Sequence, residues 1–440
     1  MDLLTRYMSK IKKLRKHSKR LVRDKGVNGL LQRMLSCKDT RNVLRLILFA
    51  KERSLWRGVV ATPPASLLEV VVSEFLRETP IACEIPFFAT FSLCAQYLCE
   101  RGARILMGDG QVICPDLYTV MLAGSGEMKS FAVGKVLRAF DMGGWKPNVI
   151  NDAGSTAGLL AELKENEGKP VFWWCEEFGE FWSQTKTETH QGTPRVVLMC
   201  YDHATLSKRL KASTLVIKDS CLSILGTTVC ANFHSKLSRD DWSSGLCQRI
   251  AFVYCPKDNE RDAFSRRYAI LDGINLQRIA DEFRKTCKTT VHKDYVFSPD
   301  ARRKLCDAWE IMGREGITAD FVRRIEFRAF KYSLVYHFLL GKENNVIDEQ
   351  DVNWAVRLAM LHLSDLRHIL DNVEHAELND LLRRAENLRL KFGDKLQPRH
   401  LLMYLHRQLH GMQSAEALFS LLEDKENASR AKCIDIKNYE

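Results

Sequence analysis

The chain has 440 residues, of which 45% are hydrophobic and 28% charged, an ordinary globular balance with material for more than one core. No apolar run approaches the ~18 residues of a membrane-spanning helix, and the polar, basic N-terminus lacks a secretory apolar stretch, so the sequence reads as cytoplasmic. Lys and Arg number 66 against 55 acidic residues, a formal charge of +11, which makes a polyanion such as DNA a plausible partner. The 14 cysteines are scattered without a C-x-x-C pair and read as reduced core thiols rather than a disulfide framework or zinc site.

In chain order, residues 1–60 read as a basic helical region. Lys10, Lys12, Lys13, Arg15, Lys16, Lys19, Arg20, Arg23 and Lys25 crowd its start, and Arg41 to Lys51 has helical periodicity. Thr62-Pro63-Pro64 breaks the chain and opens a helix with Thr62 as candidate cap. Residues 61–256 alternate helical stretches with short apolar runs. Leu117 to Ala123, Val171 to Cys175, Cys221 to Val229 and Ile250 to Tyr254 read as strands of a largely parallel sheet covered on both faces, hence an α/β domain. After Pro256 strands are no longer expected. Pro299 to Gly313, Asp320 to Gly341 and Glu349 to Asn372 read as amphipathic helices, forming a helical lid over 257–375. The last segment, 376–440, reads as a helical or winged-helix-like module, with short helices opening at Gln397-Pro398 and Ser414.

The most informative segment is Tyr118 to Ser130, YTVMLAGSGEMKS. An apolar strand runs into a small-residue loop, then Lys129-Ser130, then a helix. That is the build of a P-loop: backbone N–H groups wrap a phosphate at a helix N-terminus, a Lys reaches the β- and γ-phosphates, and the next hydroxyl binds Mg²⁺. The candidate ATP-binding stretch is Ala123, Gly124, Ser125, Gly126, Glu127, Met128, Lys129 and Ser130. Ala123 and Met128 stand where the G-x-x-x-x-G-K-[ST] pattern has glycines, so Met128 must take up a loop conformation that costs it more than it would cost Gly. About 40 residues on, the strand VFWWC ends in Glu176 and Glu177. Acids at such a strand tip support Mg²⁺, here Glu176, and polarise the attacking water, here Glu177.

Together, LAGSGEMKSFAV (122–133), FWWCEEFGEF (172–181), LSILG (222–226) and GLCQRIAFV (245–253) resemble, in order and rough spacing, a primase/helicase-like P-loop ATPase family of phages and mobile elements, itself a domain-of-unknown-function family. The family is similar to AAA+ ATPases, most of all the minichromosome maintenance helicases. The resemblance spans roughly residues 62–375.

It implies that Arg249 is an arginine finger entering a neighbouring subunit's site, and that Arg323 senses γ-phosphate, with Arg324 its competitor. The polar sensor position after LSILG holds Val229; Thr227 and Thr228 just before it would position the lytic water, Thr228 being the nucleotide-site candidate. The basic stretch Leu206 to Val216, with Lys208, Arg209 and Lys211, forms a candidate hairpin that in ring helicases grips DNA phosphates. The function implied is an Mg-ATP-driven DNA helicase or translocase of a mobile element, working as a homo-oligomeric ring (a hexamer) with a possible separate primase or replication partner. Two rivals remain open: an ATPase switch without unwinding, and a DNA-binding initiator with a decayed nucleotide site.

Overall fold

The computed structural model describes residues 39–52, 56–150, 155–209, 214–230, 233, 241, 245–256, 273–314, 319–406, 409 and 411–423. The basic segment from Lys10 to Lys25 lies outside these. The protein is a mixed α/β chain, mostly helical, and no described helix is long and apolar enough to cross a membrane. It divides into two compact units, one up to Arg367 and one from His368.

The first unit opens with α1 (Thr40–Glu52), a 3-10 turn (Arg57–Ala61), α2 (Leu67–Glu78) and α3 (Glu84–Glu100). Thr62 does not cap α2. Its hydroxyl donates back to the Gly58 carbonyl at 3.0 Å, and Ser66 accepts from Glu69 N–H instead. The two prolines are followed by one more turn, with Ala65 at φ 57°, and this delays the helix.

Next come β1 (Arg104–Leu106), β2 (Val112–Ile113), β3 (Tyr118–Ala123), α4 (Lys129–Met142), β4 (Val149–Ile150), α5 (Thr156–Glu165), β5 (Val171–Cys175), α6 (Phe178–Gln184) and α7 (Thr193–Tyr201). A hairpin of β6 (Leu206–Arg209) and β7 (Thr214–Ile217) precedes β8 (Leu222–Val229), α8 (Gly245–Arg249) and β9 (Ala251–Tyr254). The central sheet has five parallel strands in the order β4-β5-β8-β3-β9. Its core strands are the continuous apolar runs, because a sheet covered on both faces has no polar side to alternate with. Every residue of β3 and all but the last of β8 are buried.

Strands do not stop at Pro256. After α9 (Gly273–Thr286), β10 (Asp294–Phe297) pairs with β1, and after α10 (Pro299–Gly313) and α11 (Ala319–Leu339), β11 (Val346–Ile347) pairs with β10. These strands and β2 form a second sheet, ordered β11-β10-β1-β2. They are two to four residues long, too short for a period-two pattern to register. The helices after residue 273 are knitted into the sheet region. Tyr336 on α11 donates to the Ala61 carbonyl at 2.6 Å. Arg57 pairs with Asp365 at 2.6 Å and donates to the Tyr254 carbonyl, both charges being buried.

The second unit contains helices and no strand among its described residues. The long α12 (Glu349–Phe392) runs into it, followed by α13 (Pro398–Tyr404), with Gln397 and His400 in a reciprocal capping box, and a helix over 412–423. Its core is Leu396, Leu401, Leu405, Leu409, Leu418 and Leu422 with two alanines.

Candidate nucleotide site

Parallel strands put all their carboxyl ends on one edge, which is where ligands of open α/β sheets bind. At that edge the loop 124–128 leaves β3, the carboxylates leave β5, and Val229 ends β8. Connections from the adjacent strands β3 and β8 depart toward opposite edges of the sheet, to β4 and β9, so the edge carries a topological switch.

Ala123 is buried at the end of β3, and Gly124, Ser125 and Gly126 are exposed. Glu127 is half-buried, its Cγ only 3.2 Å from where a Cβ on Gly124 would lie. Met128 takes the left-handed conformation, φ 54° and ψ 34°. A non-Gly residue pays about 1–2 kcal/mol for that conformation. Thus the departure from the glycine pattern is in side chain, not in backbone. Among the described residues no side chain caps α4, whose first-turn N–H groups lie at the loop. Lys129 begins α4, is 9% exposed, and donates to the Gly124 carbonyl at 2.8 Å. No carboxylate among the described residues pairs with it. Ser130 is exposed in the first turn.

Glu176 and Glu177 are both exposed and, among the described residues, paired with no cation. The register sets their level: Cys175 faces Gly226 on β8, and Gly226 faces Val120 on β3. One strand separates β5 from β3, so the acids lie about 10 Å to the side of the loop strand. Thr227 and Thr228 hold them. Thr227 donates its hydroxyl to the Glu176 carbonyl at 2.6 Å, and Thr228 accepts from Gly179 N–H at 3.2 Å. A Cβ on Gly179 would come within 2.6 Å of the Thr228 oxygen, so only glycine fits this approach. Both threonines are buried behind the acid turn, and the hydroxyl contacts they make are to backbone.

The remaining sites fall elsewhere. Arg249 lies two residues before β9, at the amino edge; Ala251 faces Thr119, so about 13 Å of strand separates it from its own loop. It forms a forked pair with Asp202, at 2.7 and 3.0 Å from Nη2, and donates to the Gly245 carbonyl. Arg323 is exposed on the early turns of α11, with Arg324 half-buried beside it, and no described contact brings either to the loop. The hairpin forms, with Lys208 opposite Leu215 and Arg209 opposite Thr214; Lys211 lies outside the described residues.

One charged cluster was not read from the sequence. Asp116, wholly buried just before β3, accepts from Lys331 of α11 at 3.0 Å and lies 3.0 Å from His203 Nε2. Burial alone would raise the Asp116 pKa, but Lys331 and His203 outweigh it and the net shift is downward. Burial likewise opposes the charge on His203 and Lys331, yet Asp116 holds both upward. The one sequence signal was a lysine set among Phe330, Tyr332 and other apolar residues of α11.

Compared with known protein families and with curated proteins, the chain matches no family model and no curated sequence.

Proposed function

We propose that this chain is a P-loop ATPase of the AAA+ kind, acting as a DNA helicase or translocase with ATP sites shared between copies in a ring. The observation that carries this reading is charge at one sheet edge that no described residue of opposite sign pairs. Among the described residues the Lys129 ammonium bonds only to a carbonyl beside the loop, and two carboxylates without a described cation stand about 10 Å to the side. An exposed carboxylate is content in water, but a buried ammonium with no described carboxylate beside it is a charge that an anionic ligand would compensate.

The donor set fits Mg-ATP. The loop N–H groups and Lys129 would take phosphate oxygens, and Ser130 and Glu176 would hold Mg²⁺, which when bound neutralises charge on those oxygens. Glu177 would orient the attacking water and accept its proton. Thr227 and Thr228 fix the turn that aims both acids. The left-handed Met128 supports a working loop over a decayed one. Arg249 cannot reach its own loop, which favours action in trans; a guanidinium there would stabilise γ-phosphoryl charge in a neighbour's site. The DNA-motor part of the proposal rests on the family resemblance and on the basic hairpin.

Calorimetry with Mg-ATP tests the site: micromolar binding that is lost in Lys129→Ala supports it, and no binding by the parent protein overturns it. Strand displacement on forked DNA then tests the motor. ATP turnover without unwinding or translocation would leave the switch reading in its place.

A further inference from the structure

The two ion pairs at the amino edge of the sheet meet at consecutive residues, Asp202 and His203, and are opposite in kind. Asp116–Lys331 is sealed, its side chains 0% and 2% exposed, and His203 completes it. One residue before His203, Asp202 is 47% exposed while its partner Arg249 is 12% exposed. A sealed pair cannot open without stranding a charge, whereas an exposed carboxylate is rehydrated at once when its partner leaves.

We propose that Asp202 is a positioning residue that parks Arg249 in cis and yields it to the triphosphate held by an adjacent copy. This rests on the ATPase reading above. A carboxylate presents the guanidinium with the same two-oxygen fork as a phosphate, so Arg249 is held in the geometry it would use. A γ-phosphate carries more charge than the carboxylate and wins the exchange when it is presented.

Several contacts hold Arg249 in this place. Arg249 lies over the Tyr201 ring at 5.6 Å, and Lys331 lies over the same ring at 4.2 Å. Arg249 Nη1 reaches the Gly245 carbonyl, and a Cβ at Gly245 would come within 3.0 Å of that nitrogen. His203, at φ 50°, closes the turn after α7 and is pinned by Asp116, which fixes Asp202 at the helix end. The latch is therefore anchored to the sealed pair on one side and free to water on the other.

The test is steady-state ATP turnover of the full chain with Asp202→Asn, Asp202→Glu, Arg249→Ala and the Asp202→Asn/Arg249→Ala double variant. Asp202→Asn is expected to raise kcat/KM two- to tenfold, and Asp202→Glu to stay near the parent. The gain is expected to vanish in the Arg249→Ala background, which a merely structural role for Asp202 would not produce. Unchanged or reduced kcat/KM in Asp202→Asn, with an unchanged melting temperature, overturns the latch alone. Full turnover in Arg249→Ala overturns the trans finger and the latch with it. Full turnover in Lys129→Ala overturns the nucleotide site on which both stand.

Discussion

The two edges of the central sheet treat charge in opposite ways. At the amino edge Asp116, Lys331, His203, Asp202 and Arg249 are paired with one another at 2.7 to 3.2 Å. At the carboxyl edge Lys129, Glu176 and Glu177 have no partner of opposite charge among the described residues, and Met128 holds a costly backbone conformation. At one edge the charges compensate one another, and at the other these three have no described partner of opposite charge. Both are built by the same strands, so the difference lies in the loops and in the helices that return to them.

The largest effect is expected at the open edge. Glu177→Gln should lower kcat by about 10²–10⁴ while ATP still binds, because the amide keeps the shape and loses the base. A coupled phosphate-release assay reads this, and near-parental turnover would place the base elsewhere. At the closed edge, Lys331→Met should cost about 3–5 kcal/mol, since it strands the Asp116 carboxylate in the interior. Denaturant melts measure this, and adding Asp116→Asn should recover part of the loss. A negligible change would mean the pair is open to water.

Met128→Gly is expected to be smaller and of opposite sign. Met128 is left-handed in the chain by itself, so removing the penalty of about 1–2 kcal/mol should raise fold stability, less whatever glycine's extra backbone freedom takes back. Denaturant melts read this, and a lower midpoint would show instead that the methionine side chain packs the loop.

The smallest effect is on pH dependence. His203 has a raised folded pKa, so its contribution is complete below the ordinary imidazole value of about 6.5 and is lost as pH rises through the raised one. Asp116 has a lowered folded pKa, so its contribution is present above the ordinary value of about 3.9 and is lost as pH falls through the lowered one. Stability should therefore decline mildly as pH rises above neutral, and His203→Gln should remove that slope. Melts at several pH values check both.

The open edge was legible in the sequence because it is local. A buried strand, a small-residue loop and Lys129-Ser130 are contiguous, and so are VFWWC and its two acids; each strand boundary falls within one residue of its apolar run. The closed edge joins residues 87 and 215 positions apart, His203 and Lys331 to Asp116, and no periodicity reports such pairing. The backbone contacts of Thr227 and Thr228 were hidden for a related reason. A hydroxyl at the end of a strand gives no sign in sequence of the turn it bonds; the register of β5 against β8 brings Thr227 to the Glu176 carbonyl and Thr228 to the Gly179 N–H. The brief strands β10 and β11 escaped because two to four residues carry no pattern.

Helix α3 has a consequence for how the chain is made. From Glu84 to Cys99 every residue is buried, so this helix has no face suited to water. Part of its cover arrives late: Phe91 packs on Tyr332 and Tyr336, and Phe88 on His362. At about 5–20 residues per second, translation takes roughly 12–50 s to travel from one to the other. Through that interval the nascent chain carries an apolar rod with part of its housing unmade, so shortened products that stop before α12 should aggregate rather than yield a small, folded fragment.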